Sequence, residues 1–391
     1  MKIVEVAEFY SERGGGVKTY THQKLASSAA LGHSTTIIAP GKSNNEIIYP
    51  GGKIVFVKSP VLFIDNRYHV FSQNNDINSL IQSEKPDVLV GASPWSGGRI
   101  AGKWNPSNGQ KKPLKVLFMH TDPVAVYAYT LLDRLLSLKK IDRIFNFFWR
   151  YLIRLSNMFD VTLVGSPWLA SRFSSYGLNN VHSIPFGVEL SHFTSNRRNT
   201  DLRKSMLQKC NLNDNAILAL NVGRHHPEKR LKMIFQSIKK AQKYSDIGLY
   251  VIGDGLIRPW VERWSKRTPN VYIAGQENNR DHLANLMASS DLLLHGSACE
   301  TYGRVIAESL ASGLPIVIPN QGGASGFAGP IYSEIYKTGN PDDAARAIIS
   351  ISERDFKTSS KAAVKYAKET IGSDSDHFKS LYNFFTKKIT V

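Results

Sequence analysis

Residues 217–253 read ILALNVGRHHPEKRLKMIFQSIKKAQKYSDIGLYVIG. The short apolar run Ile217–Val222 has the pattern of a buried strand, and Gly223 breaks it into a basic turn, Arg224-His225-His226-Pro227-Glu228-Lys229-Arg230. Lys232–Tyr244 then spaces its apolar residues along one helical face, and Gly248–Gly253 returns to a strand. A strand, a crossover helix and a second strand of these lengths form a parallel βαβ unit covered on both faces.

The rhythm continues on both sides. Downstream it predicts helices at Arg258–Lys266, Arg280–Ser289, Gly303–Ser312, Asp342–Ser352, Phe356–Lys368 and Asp374–Lys388, with strands at Val271–Ala274, Leu292–His295 and Ile316–Pro319. Upstream it predicts strands at Lys2–Val6, Ser34–Ala39, Lys53–Val57, Val88–Gly91, Val116–His120 and Val161–Gly165. Helical patterns at Gly16–Gly32, Asn75–Lys85, Tyr129–Met158 and Ser166–Tyr176 lie between them. The fold class is α/β, two tandem Rossmann-like doubly wound domains, which 391 residues accommodate. Pro185-Phe186-Gly187-Val188 followed by polar Ser191–Asn199 marks the linker. The expected division is an N-terminal domain over 1–190, a second over 191–370, and a terminal helix over 371–391 that can pack back on the first. Ligands of such sheets sit beyond the carboxyl ends of the strands, so an interdomain cleft is the place to look for chemistry.

Composition excludes several classes. Hydrophobic residues at 42% and charged residues at 21% describe a globular chain. No run approaches the ~18 apolar residues of a membrane span, and Met1–Val6 enters a strand without the features of a signal peptide. Cys210 and Cys299 stand too far apart for a disulfide framework or a zinc site, and the expected compartment is the cytoplasm. The net charge of +17 points to an anionic partner, either phosphate-bearing substrates, an acidic membrane face or nucleic acid, or reflects a basic proteome. The basic residues are dispersed and form no nucleic-acid module, so no nucleic-acid partner is expected. No Gly-x-Gly-x-x-Gly follows either domain's first strand, which disfavours a nicotinamide enzyme.

The residues with chemistry cluster in the second half. Glu300 and Gly303 stand at the entry of a helical run, with Glu308 about two turns further on. A helix entrance offers N–H groups and a positive dipole end to a phosphate, and flanking carboxylates accept from hydroxyls. The alternative is a dipole-favoured acid plus a surface glutamate. Arg224 and Lys229 suit phosphate oxygens, or belong to a solvated basic loop. Gly253 and Gly275 at strand ends let a ligand approach the backbone. His225 and His226 lack a third ligand at metal spacing and read as phosphate neighbours or bystanders. Asp374-Ser375-Asp376 resembles a metal-binding Asp-x-Asp, but it opens a terminal helix, where Ser373, Asp374 and Ser375 serve as caps.

The ordered set Gly223-Arg224…Lys229-Arg230, Ile252-Gly253-Asp254-Gly255, Gly275, Glu300…Glu308 and Ala311-Ser312-Gly313-Leu314-Pro315 resembles the retaining nucleotide-sugar glycosyltransferases of the GT-B fold, family four. Gly14-Gly15-Gly16-Val17 after the first strand, Leu31-Gly32-His33 before the second and Pro185-Phe186-Gly187-Val188 agree with it. By matching position, the resemblance implies that Arg224 and Lys229 clamp the donor diphosphate, helped by amides near Tyr302 and Gly303. It implies that Glu308 holds the ribose, Glu300 the transferred sugar, and Gly275 and its neighbours the base. Gly14, Gly15 and Gly16 would close over the diphosphate, and His120 would stand near the reaction centre. In many relatives an acid follows the last glycine pair; Gly322-Gly323-Ala324-Ser325-Gly326 has none, which leaves the sugar-facing wall open.

The implied reaction is retaining transfer of a hexose from GDP-mannose or a UDP-sugar to a glycan, glycolipid or lipid-linked acceptor in cell-envelope polysaccharide or glycolipid synthesis. No metal ion or other cofactor is required if Arg224 and Lys229 neutralise the leaving group. A sugar-nucleotide 2-epimerase of the same fold is the alternative. Residues 139–154 mix Lys139, Lys140, Arg143, Arg150 and Arg154 with aromatics at helical spacing. This run either lies on an anionic membrane surface, at the inner face of the cell membrane, or packs its aromatics on the sheet.

Overall fold

The structure is a computed structural model that describes residues 1–11, 16–62, 69–72, 74–129, 132 and 138–390. The chain forms two compact units. One holds Met1–Val124, Ser137–Pro185 and Asp374–Val391; the other holds Ala125–Leu136 and Phe186–Ser373. The divisions at 185 and 373 lie a few residues from those of the sequence reading, at 190 and 370, for a local reason. The Tyr302 hydroxyl donates to the Phe186 carbonyl, the Val188 N–H donates to the Gly372 carbonyl at 3.1 Å, and Glu189 pairs with Arg280 at 3.0 Å.

The first unit contains β1 (Lys2–Val6), β2 (Ser34–Gly41), β3 (Asn45–Tyr49), β4 (Gly52–Lys58), β5 (Val88–Gly91), β6 (Leu114–Met119), β7 (Val161–Val164) and β8 (Val181–Ser183). They lie in the order β3-β4-β2-β1-β5-β6-β7-β8. All neighbours are parallel except β3, which is antiparallel to β4. In the β1 register, Val6 lies opposite both Ile38 and Gly91. The covering helices are α1 (Gly16–Ala30), α2 (Asn74–Glu84), α3 (Ser96–Lys103), α4 (Leu138–Ile144), α5 (Asn146–Ser156) and α6 (Pro167–Ser175). Ser166 caps α6, its hydroxyl accepting from the Leu169 N–H at 3.2 Å. The single helix expected over Tyr129–Met158 is instead a π-helical turn at Val124–Tyr129 followed by α4 and α5. Phe145, at φ −88° and ψ 17°, leaves helical geometry between those two; part of 130–137 lies outside the described residues.

The second unit contains β9 (Ile217–Val222), β10 (Ile247–Ile252), β11 (Val271–Gly275), β12 (Leu292–Leu294), β13 (Ile316–Pro319) and β14 (Ser333–Tyr336). They lie in the order β11-β10-β9-β12-β13-β14, and every pair is parallel. Its helices are α7 (Thr200–Lys209), α8 (Leu231–Ala241), α9 (Arg258–Ser265), α10 (Arg280–Ala288), α11 (Arg304–Ala311), α12 (Pro341–Ser352) and α13 (Phe356–Tyr366). The stripe Leu231, Ile234, Phe235 and Ile238 on α8 packs with Leu249, Val251, Leu292, Leu294, Val317 and Ile348 into one core. Burying each such side chain contributes about 1.5–3 kcal/mol. The strands that sequence patterning missed, β3, β8 and β14, are only three to five residues long and lie at sheet edges, too short for a strand period to stand out.

The last helix, α14 (Asp374–Ile389), returns to the first unit and lies on α1. Phe378, Leu381 and Phe385 are buried there. Tyr382 Oη lies 2.7 Å from Ser28 Oγ and 3.1 Å from the Lys24 carbonyl, and Gln23 donates to Asp374 at 2.6 Å. Asp374 of the Asp-x-Asp run is thus engaged with α1, and no set of three His, Cys, Asp or Glu side chains among the described residues is placed to hold a metal. Among them, too, no helix is long and apolar enough to cross a membrane.

Strand order reverses beside β1 in the first sheet and beside β9 in the second, and the crevice at such a switch point is where open α/β sheets bind ligands.

Candidate active site

At the second unit's switch point, the segments that leave β9 and β12 run side by side. Asn221, buried near the end of β9, donates from Nδ2 to the Leu294 carbonyl at 2.8 Å and ties the two strands together. Three strand-end turns are laced through their backbones. Gly223 N–H donates to the Ile252 carbonyl at 3.0 Å, Gly253 N–H to the Gly275 carbonyl at 2.7 Å, and His225 N–H to the Asp254 carbonyl at 2.8 Å. Gly253 has φ +142°, and a Cβ there would sit 1.9 Å from the Gly223 carbonyl oxygen, so only glycine fits.

His225, expected as a phosphate neighbour or bystander in a flexible loop, is instead fully buried beneath these turns. Both its ring nitrogens lack a hydrogen-bond partner among the described residues, and burial holds its pKa below the ordinary histidine value. His226 is more open, with Nδ1 3.8 Å from Glu228.

The turn carries Arg224 outward and Lys229 inward. Arg224 is exposed, and no carboxylate pairs with it among the described residues. Lys229 runs across Gly223, its Cε 3.7 Å from where a Cβ on that glycine would be, and ends in an ion pair with Glu300. Glu228 Oε1 is 3.8 Å from the same ammonium. Burial works against the charge on Lys229, but Glu300 and Glu228 outweigh it and hold its pKa above the ordinary range. Burial would likewise raise Glu300; Lys229, His295 and Arg224 together hold it below the usual carboxylate value. The pair remains ionised and, at 20% and 18% side-chain exposure, still reaches solvent.

Glu300 is held by a second glycine device. Gly323 N–H donates to the Glu300 carbonyl at 2.6 Å. A Cβ at Gly322 would lie 2.4 Å from the Ala298 carbonyl oxygen, and one at Gly323 would lie 2.3 Å from that of Thr301. The glycine pair without a following acid therefore packs under the 298–302 loop. Gly303, at φ +101°, begins α11 with no side-chain cap, so the helix presents its positive end beside Glu300. Tyr302 is buried, edge-on to Phe186 at 5.3 Å and Phe327 at 5.1 Å. Glu308 does not join the Lys229–Glu300 pair. It lies 3.9 Å from Arg280 of α10, which also binds Glu189 at 3.0 Å. Gly275, at φ +82°, faces the Arg258 guanidinium, 3.7 Å from where its Cβ would be.

Sequence reasoning missed three participants: His295, Asn221 and Arg280. His295 is buried, 3.6 Å from Glu300, and burial pushes its pKa down to about 4. Its position at the end of a predicted strand, five residues before Glu300, was the available signal.

In the first unit, Gly16 opens α1, while Gly14 and Gly15 lie outside the described residues. His120 follows β6. Its ring packs 4.4 Å from Phe118 and edge-on to Tyr20 at 5.3 Å. Burial pushes its pKa down to about 4, with Glu5 opposing and Lys24 adding to the shift, so the imidazole is neutral at physiological pH. Cations, helix amides and carboxylates in the second unit can seat an anionic group and its neighbouring hydroxyls. The neutral imidazole of the first can accept or donate a hydrogen bond.

Residues 14–192 match the family described as Glycosyltransferase Family 4, and residues 203–370 match Glycosyl transferases group 1. A GDP-mannose-dependent α-(1-6)-phosphatidylinositol dimannoside mannosyltransferase of Mycobacterium tuberculosis is 26% identical over 324 residues, 81% of this chain and 79% of its own. A GDP-mannose-dependent α-mannosyltransferase of Corynebacterium glutamicum is 26% identical over 326 residues, 83% of this chain and 73% of its own. Among solved structures, the sucrose-phosphate synthase of Thermosynechococcus elongatus aligns with a TM-score of 0.76 at 15% identity, over 100% of this chain and 99% of its own. Anabaena HepE in complex with UDP-glucose aligns at 0.71 with 16% identity, over 99% and 100%. With both halves matched and the whole architecture shared, the chain belongs to the nucleotide-sugar glycosyltransferases of the GT-B fold.

Proposed function

We propose that the protein transfers mannose from GDP-mannose, with retention at the anomeric carbon, to a hydroxyl of a glycolipid or lipid-linked glycan acceptor of the cell envelope. The observation that carries this reading is the Lys229–Glu300 pair, with Arg224 exposed beside it at the switch point and the start of α11 adjoining. The mannose donor is supported by the two mannosyltransferase relatives, each similar over most of its length.

In this reading Arg224 and Lys229 bind the diphosphate, amides around Tyr302 and Gly303 add donors, and Glu300 accepts from mannose hydroxyls. Glu308 takes the ribose, and Gly253 and Gly275 keep the strand ends open to nucleotide and base. Gly14, Gly15 and Gly16 close over the diphosphate, and His120 lies on the acceptor side. The bond from the anomeric carbon to the diphosphate breaks as the bond to the acceptor oxygen forms on the same face. The acceptor proton passes to the departing phosphate oxygen. Catalysis then rests on placement and on cations that meet the growing charge, a role Arg224 and Lys229 fill without a metal.

A membrane-borne acceptor is supported by α4 and α5. Arg143, Arg150 and Arg154 are exposed there, alongside Ile144 at 55% and Phe147 at 68% exposure. A basic face with protruding apolar side chains suits an anionic leaflet, here the cytoplasmic one.

Arg224 tests the reading. Arg224→Ala should weaken GDP-mannose binding by about 1.5–3 kcal/mol and lower turnover as well, because the bond strengthens as the leaving group gains charge. Arg224→Lys should recover part, having the charge without the fork. Calorimetry with GDP-mannose and UDP-glucose, and mass spectrometry of products from an acceptor panel, read both. Unchanged nucleotide affinity and transfer in Arg224→Ala would remove the diphosphate clamp.

A further inference from the structure

Deepening the reading of His120 given above, we infer that His377 of the C-terminal helix positions His120 through Tyr20. His377 Nδ1 lies 2.8 Å from the Pro185 carbonyl oxygen. A carbonyl only accepts, so this contact places a proton on Nδ1, and in the neutral ring Nε2 is then the acceptor. Nε2 lies 3.1 Å from the Tyr20 hydroxyl, which is thereby the donor. The hydrogen bond fixes the buried Tyr20 ring, and that ring stands edge-on to His120 at 5.3 Å and to Phe118 at 6.0 Å. Phe118 also packs on His120, at 4.4 Å, so the three rings form one cluster. The chain Pro185–His377–Tyr20–His120 thus runs from the C-terminal helix to the candidate reaction centre within one unit.

Three features set this chain apart from ordinary core packing. Tyr20 also packs on His377 at 5.7 Å and on Phe378 at 5.3 Å, so two successive side chains of α14 meet it. Tyr20 sits one turn into α1, the helix that Gly16 begins, so the same contact steadies the helix that follows the glycine loop. The His377 tautomer is set by a backbone carbonyl at the end of the first unit, a group that does not titrate. Tyr20 and His377 act through His120 and are positioning residues. They touch no reacting atom.

The test uses the full chain with Tyr20→Phe, His377→Leu, His377→Gln and His120→Ala. Tyr20→Phe keeps the ring and loses the donor. His377→Gln keeps an acceptor near the place of Nε2. The expected result is a fall in kcat of about tenfold for Tyr20→Phe and His377→Leu, with the donor KM within about twofold of wild type and partial rescue in His377→Gln. Nitrogen-15 histidine spectra should show the His120 resonances displaced in Tyr20→Phe while its unfolding temperature stays near wild type. If His120→Ala loses turnover while Tyr20→Phe and His377→Leu keep the wild-type kcat, the positioning chain is overturned and His120 keeps its role. If His120→Ala itself turns over normally, the role of His120 falls and the positioning chain falls with it.

Discussion

Each unit contains a lysine–glutamate ion pair joining the first strand of its sheet, or the turn after it, to another element, and the two pairs have opposite surroundings. In the first unit, Lys24 of α1 meets Glu5 of β1 with side chains 0% and 3% exposed. In the second, Lys229 meets Glu300 with side chains 20% and 18% exposed, at the crevice where strand order reverses. A sealed pair cannot exchange partners without losing its neutralising charge in a low-dielectric interior. An open pair can give its cation to an incoming anion, and the helix start beside it and exposed Arg224 favour that exchange. Chemical identity is the same in both. Burial and topology seal the one inside the fold and leave the other open to solvent.

Breaking the sealed pair should produce the largest change in stability. Lys24→Met leaves Glu5 buried without its cation and should cost about 3–5 kcal/mol, read as a lowered unfolding temperature. The double variant Glu5→Gln/Lys24→Met should regain most of the loss, because an uncharged pair of similar volume needs no neutralisation. A single variant as stable as wild type would show that the first pair reaches water after all.

Breaking the open pair should do the reverse. Lys229→Met is expected to lower turnover by about 10²–10³-fold, the scale for losing one group that stabilises developing charge, while the unfolding temperature stays close to wild type. Stability lost in step with activity would make Lys229–Glu300 a structural pair like Lys24–Glu5.

The smallest effect separates the surroundings of the two pairs by pH. His120, beside the first, and His295, beside the second, each fall from an unfolded value of 6.5 to about 4 when folded. Below pH 6.5 the unfolded chain takes up protons that the folded chain refuses until about pH 4. Stability should therefore decline as pH falls through that window. Urea unfolding between about pH 7.5 and 5 should show this slope, and His295→Gln should flatten it. A slope unchanged in His295→Gln would place its titration outside the fold.

Much of the second unit was readable from residue order. Gly223, Gly253 and Gly275 were recognisable as strand ends, because a positive φ or a close backbone neighbour demands glycine. Arg224, Lys229 and Glu300 were picked out by type and spacing, and the structure brings Lys229 to Glu300. Glu308 was expected to hold the ribose, and the structure places its carboxylate 3.9 Å from Arg280, a residue with no distinguishing local signal. The buried state of His225 was hidden for the same reason, since cover supplied by other turns leaves no trace in the loop's own composition.

Strand and helix alternation, the glycines that the turns demand and the types of charge near them are local properties. Backbone sterics and side-chain periodicity write them directly into the order of residues. Partner choice is not local. Lys229 and Glu300 are separated by 71 positions, Tyr20 and His377 by 357. Strand order alone brings the first pair to the reversal point, and the return of α14 brings the second together. The energy of a charge or a hydrogen bond depends on distance and on the water left around it. Those two quantities exist only once the sheets have formed and the helices have closed over them.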